Sequence, residues 1–152
     1  MRNNELGNKL FHILMPILLG TVVGIIFKDY NSYIETLERT IKVPNIVFPI
    51  VWSVLYVLIG IWYNLYEKEA NKVNKVIYYV LLAVNLLFTP VLFYFHLIVP
   101  ALIITVVLLV GNVYLFLMSF REGKYSYLLI PYLLWLVFAS VLMFDLFIHN
   151  VI

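Results

Sequence analysis

Between Val76 and Phe120 the chain runs for 45 residues without an aspartate, glutamate, lysine or arginine. A helix crosses a bilayer with only about 20 apolar residues, so this run is long enough for two crossings. Three more uncharged runs follow the same pattern: Leu10 to Phe27 (18 residues), Val43 to Tyr66 (24) and Tyr125 to Phe144 (20). A transmembrane barrel would show short alternating segments instead of unbroken apolar runs. The chain therefore reads as an all-α membrane protein. Composition agrees: 64% of residues are hydrophobic and 12% charged, against roughly 45–50% and 25% in soluble domains.

Several kinds of function fall away on the same grounds. A net charge of +2 with no basic run gives no electrostatic footprint for nucleic acid. Cysteine is absent, which removes disulfides, thiol nucleophiles and iron–sulfur ligation. No small-residue cleavage site follows the first apolar run, and Lys28 comes directly after it, so the run reads as a retained helix. The sequence contains no glycine-rich phosphate loop, no paired-histidine metal spacing and no Ser/His/Asp set. No metal site and no required cofactor are expected.

The longest run divides at His96 to Pro100, where a polar residue precedes a proline suited to a helix's first turn. The expected architecture is one five-helix transmembrane bundle over residues 1–152, with helices at about 9–27, 45–66, 75–96, 99–120 and 125–149. Lysines and arginines then sort by side. The N-terminus, the 67–75 loop and the 121–124 loop hold seven, whereas Lys28, Arg39 and Lys42 stand opposite. The positive-inside rule puts the N-terminus in the cytoplasm and the C-terminus outside, with the 28–42 loop facing out.

Polar groups inside the apolar runs must face the bundle or a cavity. Asn85 and Thr89 share a helix face that Phe88 and Leu92 extend. A helix–helix hydrogen bond is the plain reading for such amides, and it is preferred for Asn64 and Asn112. Asp145, near the outer end, reads as a snorkelling residue or one of a helix–helix pair. His12, His96 and His149 are scattered, and an interfacial histidine is the expected reading ahead of a haem ligand. Pro16, Pro49, Pro90 and Pro131 fall in or near the starts of spans, where kinks help enclose cavities, although proline is commoner in membrane helices anyway. Trp52 has Tyr56 at i+4; Trp135 has Phe138 and Ala139 at i+3 and i+4, a large ring beside a small residue. Most aromatics belong to lipid-facing surface and interfacial belts, but these two tryptophans suit stacking on a flat apolar ligand.

Three strings carry more. Val47 to Gly60 (VFPIVWSVLYVLIG), Ala83 to Phe95 (AVNLLFTPVLFYF) and Ile130 to Phe144 (IPYLLWLVFASVLMF) resemble, in order and spacing, the second, third and fifth helices of the tryptophan-rich sensory protein and translocator protein family, also called the peripheral-type benzodiazepine receptor family. The second-helix signature falls on Phe48, Pro49, Trp52, Leu55 and Tyr56. The third falls on Asn85, Phe88, Thr89 and Pro90, and the fifth on Pro131, Tyr132, Trp135 and Ala139, with the family's later acidic residue at Asp145. A first-loop tyrosine that often covers the family's pocket corresponds to Tyr33. Two departures stand out. Of the lysine–proline, tryptophan and proline pair that usually open the second helix, only Pro44 remains, and the cholesterol-recognition pattern of animal members is missing after Ser140.

The resemblance implies a tetrapyrrole-binding or drug-binding integral membrane protein of a bacterial cytoplasmic membrane, acting as a sensor, regulator or carrier. Its ligands would be protoporphyrin-type molecules or isoquinoline- and benzodiazepine-like compounds, and its partners the lipid bilayer and a second copy in a homodimer. The ligand-binding residues it implies are Tyr33, Phe48, Pro49, Trp52, Tyr56, Asn85, Phe88, Tyr132, Trp135, Phe138 and Ala139. Arg39 and Lys42 in the outer loop could meet ligand propionates. An alternative is light-dependent porphyrin degradation using Trp52 and Trp135, since an excited porphyrin can oxidise a nearby indole. Gly20 and Gly24 form a small-xxx-small pair for helix–helix approach.

Overall fold

The computed structural model of the chain describes residues 2–27, 30–122 and 125–152. Lys28 and Lys124, two of the basic residues in the orientation count, lie outside that set. Among the described residues every regular element is helical: α1 (Arg2–Ile26), α2 (Tyr30–Thr36), α3 (Val47–Tyr66), α4 (Lys72–Thr89), α5 (Ile98–Glu122) and α6 (Ile130–Asn150). A π-helical turn, Pro90–Tyr94, extends α4, and a 3₁₀ turn, Ser126–Leu129, leads into α6. Four of these helical stretches are long and apolar enough to cross a membrane, and the Leu10–Ile26 part of α1 is a shorter apolar helix.

Helix boundaries follow local chemistry. Asn71 caps α4, its side chain accepting from the Asn74 amide at 2.8 Å, so the helix starts three residues ahead of the expected position 75. At the other end Pro90 supplies no N–H, and the ladder widens into i+5 bonding, with Phe95 N donating to Pro90 O at 3.0 Å. His96 then takes a φ of 56°, an uncommon left-handed conformation for a side-chain-bearing residue, and the chain reverses into α5. Pro49 and Pro131 sit in the first turns of α3 and α6, where the missing donor costs nothing. Within the expected 28–42 loop lies α2, whose seven residues are too few to show a helical period.

In the packing, α1 lies on α3, and α5 lies between α4 and α6. Pro16 inside α1 deprives the His12 carbonyl of its usual donor four residues on. Gly60 of α3 approaches that same spot: a Cβ there would stand 2.7 Å from Ile13 Cα and 2.8 Å from His12 O. Gly20 likewise admits the Tyr56 ring against α1, whereas a Cβ on Gly24 would touch nothing within 4 Å.

One end of the bundle is held by buried aromatic and polar contacts. Tyr63 and Tyr78 stack with centroids 3.7 Å apart at 7°. Asn74 donates to Tyr66 Oη at 2.8 Å and accepts from Tyr114 Oη at 3.1 Å, tying α3, α4 and α5. His12, expected at an interface, is buried; its Nδ1 lies 3.2 Å from the Glu67 carboxylate and its Nε2 3.3 Å from Tyr79 Oη. Asn112 donates to Leu108 O in its own helix and so makes no cross-helix bond with that group. Large hydrophobic side chains along every long helix remain exposed, as lipid contact requires.

Candidate ligand cavity

At the opposite end the helices part around a cavity of about 410 Å³, within the roughly 300–1,000 Å³ typical of small-molecule sites. Its aromatic wall comes from α3 and α6. Trp52 and Trp135 meet edge to face with centroids 6.4 Å apart at 86°, and Phe48 lies 5.9 Å from Trp135. Tyr56 leans on Trp52 at 5.4 Å. Ala139, one turn beyond Trp135, leaves open space beside the indole. From α4 come Asn85, Phe88 and Thr89.

Of the eleven residues singled out in the sequence, eight line this space: Phe48, Pro49, Trp52, Tyr56, Asn85, Phe88, Trp135 and Ala139. Three stand off the wall. Tyr132 is buried behind it, its hydroxyl accepting from Asn85 Nδ2 at 2.9 Å and its ring 6.3 Å from Trp52. Phe138 packs on Trp135 at 5.5 Å but is 36% exposed, because i+3 from Trp135 rotates to the lipid side while i+4 stays inside. Tyr33 stacks on His96 at 3.9 Å and 16°, and its neighbour Ile34 faces the cavity. Burial holds the Tyr33 phenol above its ordinary pKa, so it stays neutral.

The generic helices also contribute. Gly20, Thr21 and Gly24 of α1 and Thr105 and Leu108 of α5 complete the enclosure. Gly20 and Gly24 are marked in the sequence as a small-residue pair for helix approach, while no pattern marks Thr21, Thr105 or Leu108. The segment 37–46 forms a strap along one side of the cavity, with Arg39, Ile41 and Val43 on the wall. Asp145 fastens it: Oδ2 accepts from the amides of Thr40 and Ile41 at 2.9 and 3.0 Å. Asn150 adds a reciprocal pair, accepting from Glu38 N at 3.0 Å and donating to Glu38 O at 2.8 Å. Asp145 thus joins α6 to the strap through backbone amides, in place of a pair between two helix side chains.

Asn85 both lines the cavity and ties α4 to α6. Asn85→Leu should strand the buried Tyr132 hydroxyl, at about 1–3 kcal/mol, and lower ligand affinity as well. Asn112→Leu, whose amide serves only its own helix, should do less of both; thermal melts and ligand titrations of the two variants compare them directly.

An apolar helical bundle with a cavity enclosed between its helices defines the class: a polytopic integral membrane protein with an internal site. The chain belongs to the TspO/MBR family, whose sequence profile matches residues 12–148. It is 30% identical to the tryptophan-rich protein TspO of Archaeoglobus fulgidus over 112 residues, covering 70% of this chain and 72% of that protein. It is 28% identical to protein CrtK of Rhodobacter capsulatus over 129 residues, 80% of each chain.

Proposed function

We propose that the protein binds a tetrapyrrole of the protoporphyrin type, or a flat drug-like molecule of isoquinoline or benzodiazepine shape, in the cavity between its helices. Occupancy would signal the ligand's presence or carry it. The observation that supports this most is the perpendicular pair of indoles, Trp52 and Trp135, exposing apolar faces beside the gap at Ala139. In the same reading α1 makes a fifth crossing, the N-terminus is cytoplasmic and the strap faces outward, as the distribution of lysine and arginine favours. A homodimer would have to use surfaces other than Gly20, which is closed off by Tyr56.

A second reading is photochemical. An excited tetrapyrrole held against Trp52 or Trp135 could oxidise the indole, and no acid–base pair is needed. One experiment addresses both readings: protoporphyrin titrated into the detergent-purified protein, followed by tryptophan quenching, first in darkness and then under illumination. Saturable quenching that Trp52→Phe with Trp135→Phe weakens is the expected result; Trp62, fully buried in the core of the same helix as Trp52, still reports any porphyrin that the double variant binds. Absence of saturable binding would overturn the tetrapyrrole reading. Light-driven loss of porphyrin, slowed in the double variant, would put degradation ahead of sensing.

A further inference from the structure

Among the described residues the cavity wall carries two charged ones, Arg39 and Asp145, and they are differently placed. Asp145 is occupied: one oxygen holds two strap amides and the other lies 3.3 Å from His149 Nδ1. Arg39 is half-buried, and among the described residues its guanidinium has no hydrogen bond or ion pair. Two of the wall hydroxyls are committed to their own helices, Ser53 donating to Pro49 O at 2.7 Å and Thr105 to Leu102 O at 2.8 Å, and the neutral donors that remain carry no charge to meet an anion. Lys42, three residues along the strap, is exposed and stays off the wall. A cation drawn out of water beside apolar side chains is costly unless an anion meets it. Planar guanidinium suits an oxyanion through two parallel hydrogen bonds.

We propose that Arg39 is the anion-recognising group of this cavity, so that the site selects an amphiphile with an apolar ring body against Trp52 and Trp135 and a carboxylate held under the strap. The inference rests on the cavity being a ligand site, and it adds what decides between charged and neutral ligands of one shape. Because the strap that carries Arg39 is fastened by Asp145 and Asn150, this half-buried residue is held at the cavity's edge, where a carboxylate can keep part of its hydration while the ring body is buried.

The test compares protoporphyrin with its dimethyl ester, which keeps the ring and removes both charges, on the full-length protein in a neutral maltoside detergent. Wild type should bind the diacid about tenfold more tightly, the worth of one charge-assisted pair. Arg39→Gln should bring the diacid down to the ester's affinity and leave the ester unchanged, while Lys42→Gln should keep the preference. Equal affinities in wild type, or a preference surviving Arg39→Gln, would overturn the proposal. Anilinonaphthalene sulfonate against neutral phenylnaphthylamine forms a second arm that does not depend on tetrapyrroles. If neither porphyrin binds but the sulfonate preference is present and lost in Arg39→Gln, the tetrapyrrole reading fails and the anion subsite stands. Competition by phosphatidylglycerol in wild type alone would also support the subsite, with a lipid headgroup as the source of the oxyanion.

Discussion

Replacing Ala139 with phenylalanine should weaken protoporphyrin binding by about five- to a hundredfold while the protein stays folded. The methyl group of Ala139 stands on the cavity wall one turn from Trp135, and a phenyl ring there would occupy the space the ligand ring needs. Overfilling a packed site costs roughly 1–3 kcal/mol, and each 1.4 kcal/mol is a factor of ten in affinity. Ala139 is only partly buried and faces the cavity, so the ring has somewhere to go and the bundle need not open. Binding titrations beside a thermal melt separate the two effects. Unchanged affinity with an intact melt would place Ala139 outside the site.

The second large effect is on stability. Gly60→Ala should lower the thermal midpoint of the detergent-solubilised protein by several degrees, corresponding to about 2–3 kcal/mol of overpacking. Its Cβ would press on Ile13 Cα and His12 O, which are backbone atoms of α1 and cannot rotate away. Gly24→Ala is the matched control, since a Cβ there has no neighbour within 4 Å. Equal melts for the two variants would mean that α1 and α3 are not packed as closely as described.

The parts of the site that could be read from the sequence share one property: a local pattern. Phe48, Pro49, Trp52 and Tyr56 fall within nine consecutive residues of one helix, and Asn85 and Phe88 share a face at i+3. Periodicity alone decides against Phe138 once the direction of Trp135 is known, but nothing in the sequence gives that direction. Thr21, Thr105 and Leu108 were illegible for a different reason: the Leu10–Ile26 part of α1 and most of α5 are apolar on nearly every face, so no face announces itself. Long-range polar ties were equally hidden. The partners of Asp145 are backbone amides 104 and 105 residues away, and backbone donors have no sequence signature. His12 and Glu67 were each visible, but their meeting depends on Gly60 and Pro16 bringing α1 and α3 together.

The two ends of this bundle are fastened by different means. One is closed by stacked rings and an asparagine gripped by two phenols, buried contacts that must be broken together. The other is laced by hydrogen bonds from a short stretch of extended chain to the last two turns of α6, with the Thr40 and Glu38 amides at the surface where water can take their place. The strap amides should therefore exchange their protons with water sooner than the amides around the tyrosine stack, a contrast that hydrogen exchange reads residue by residue.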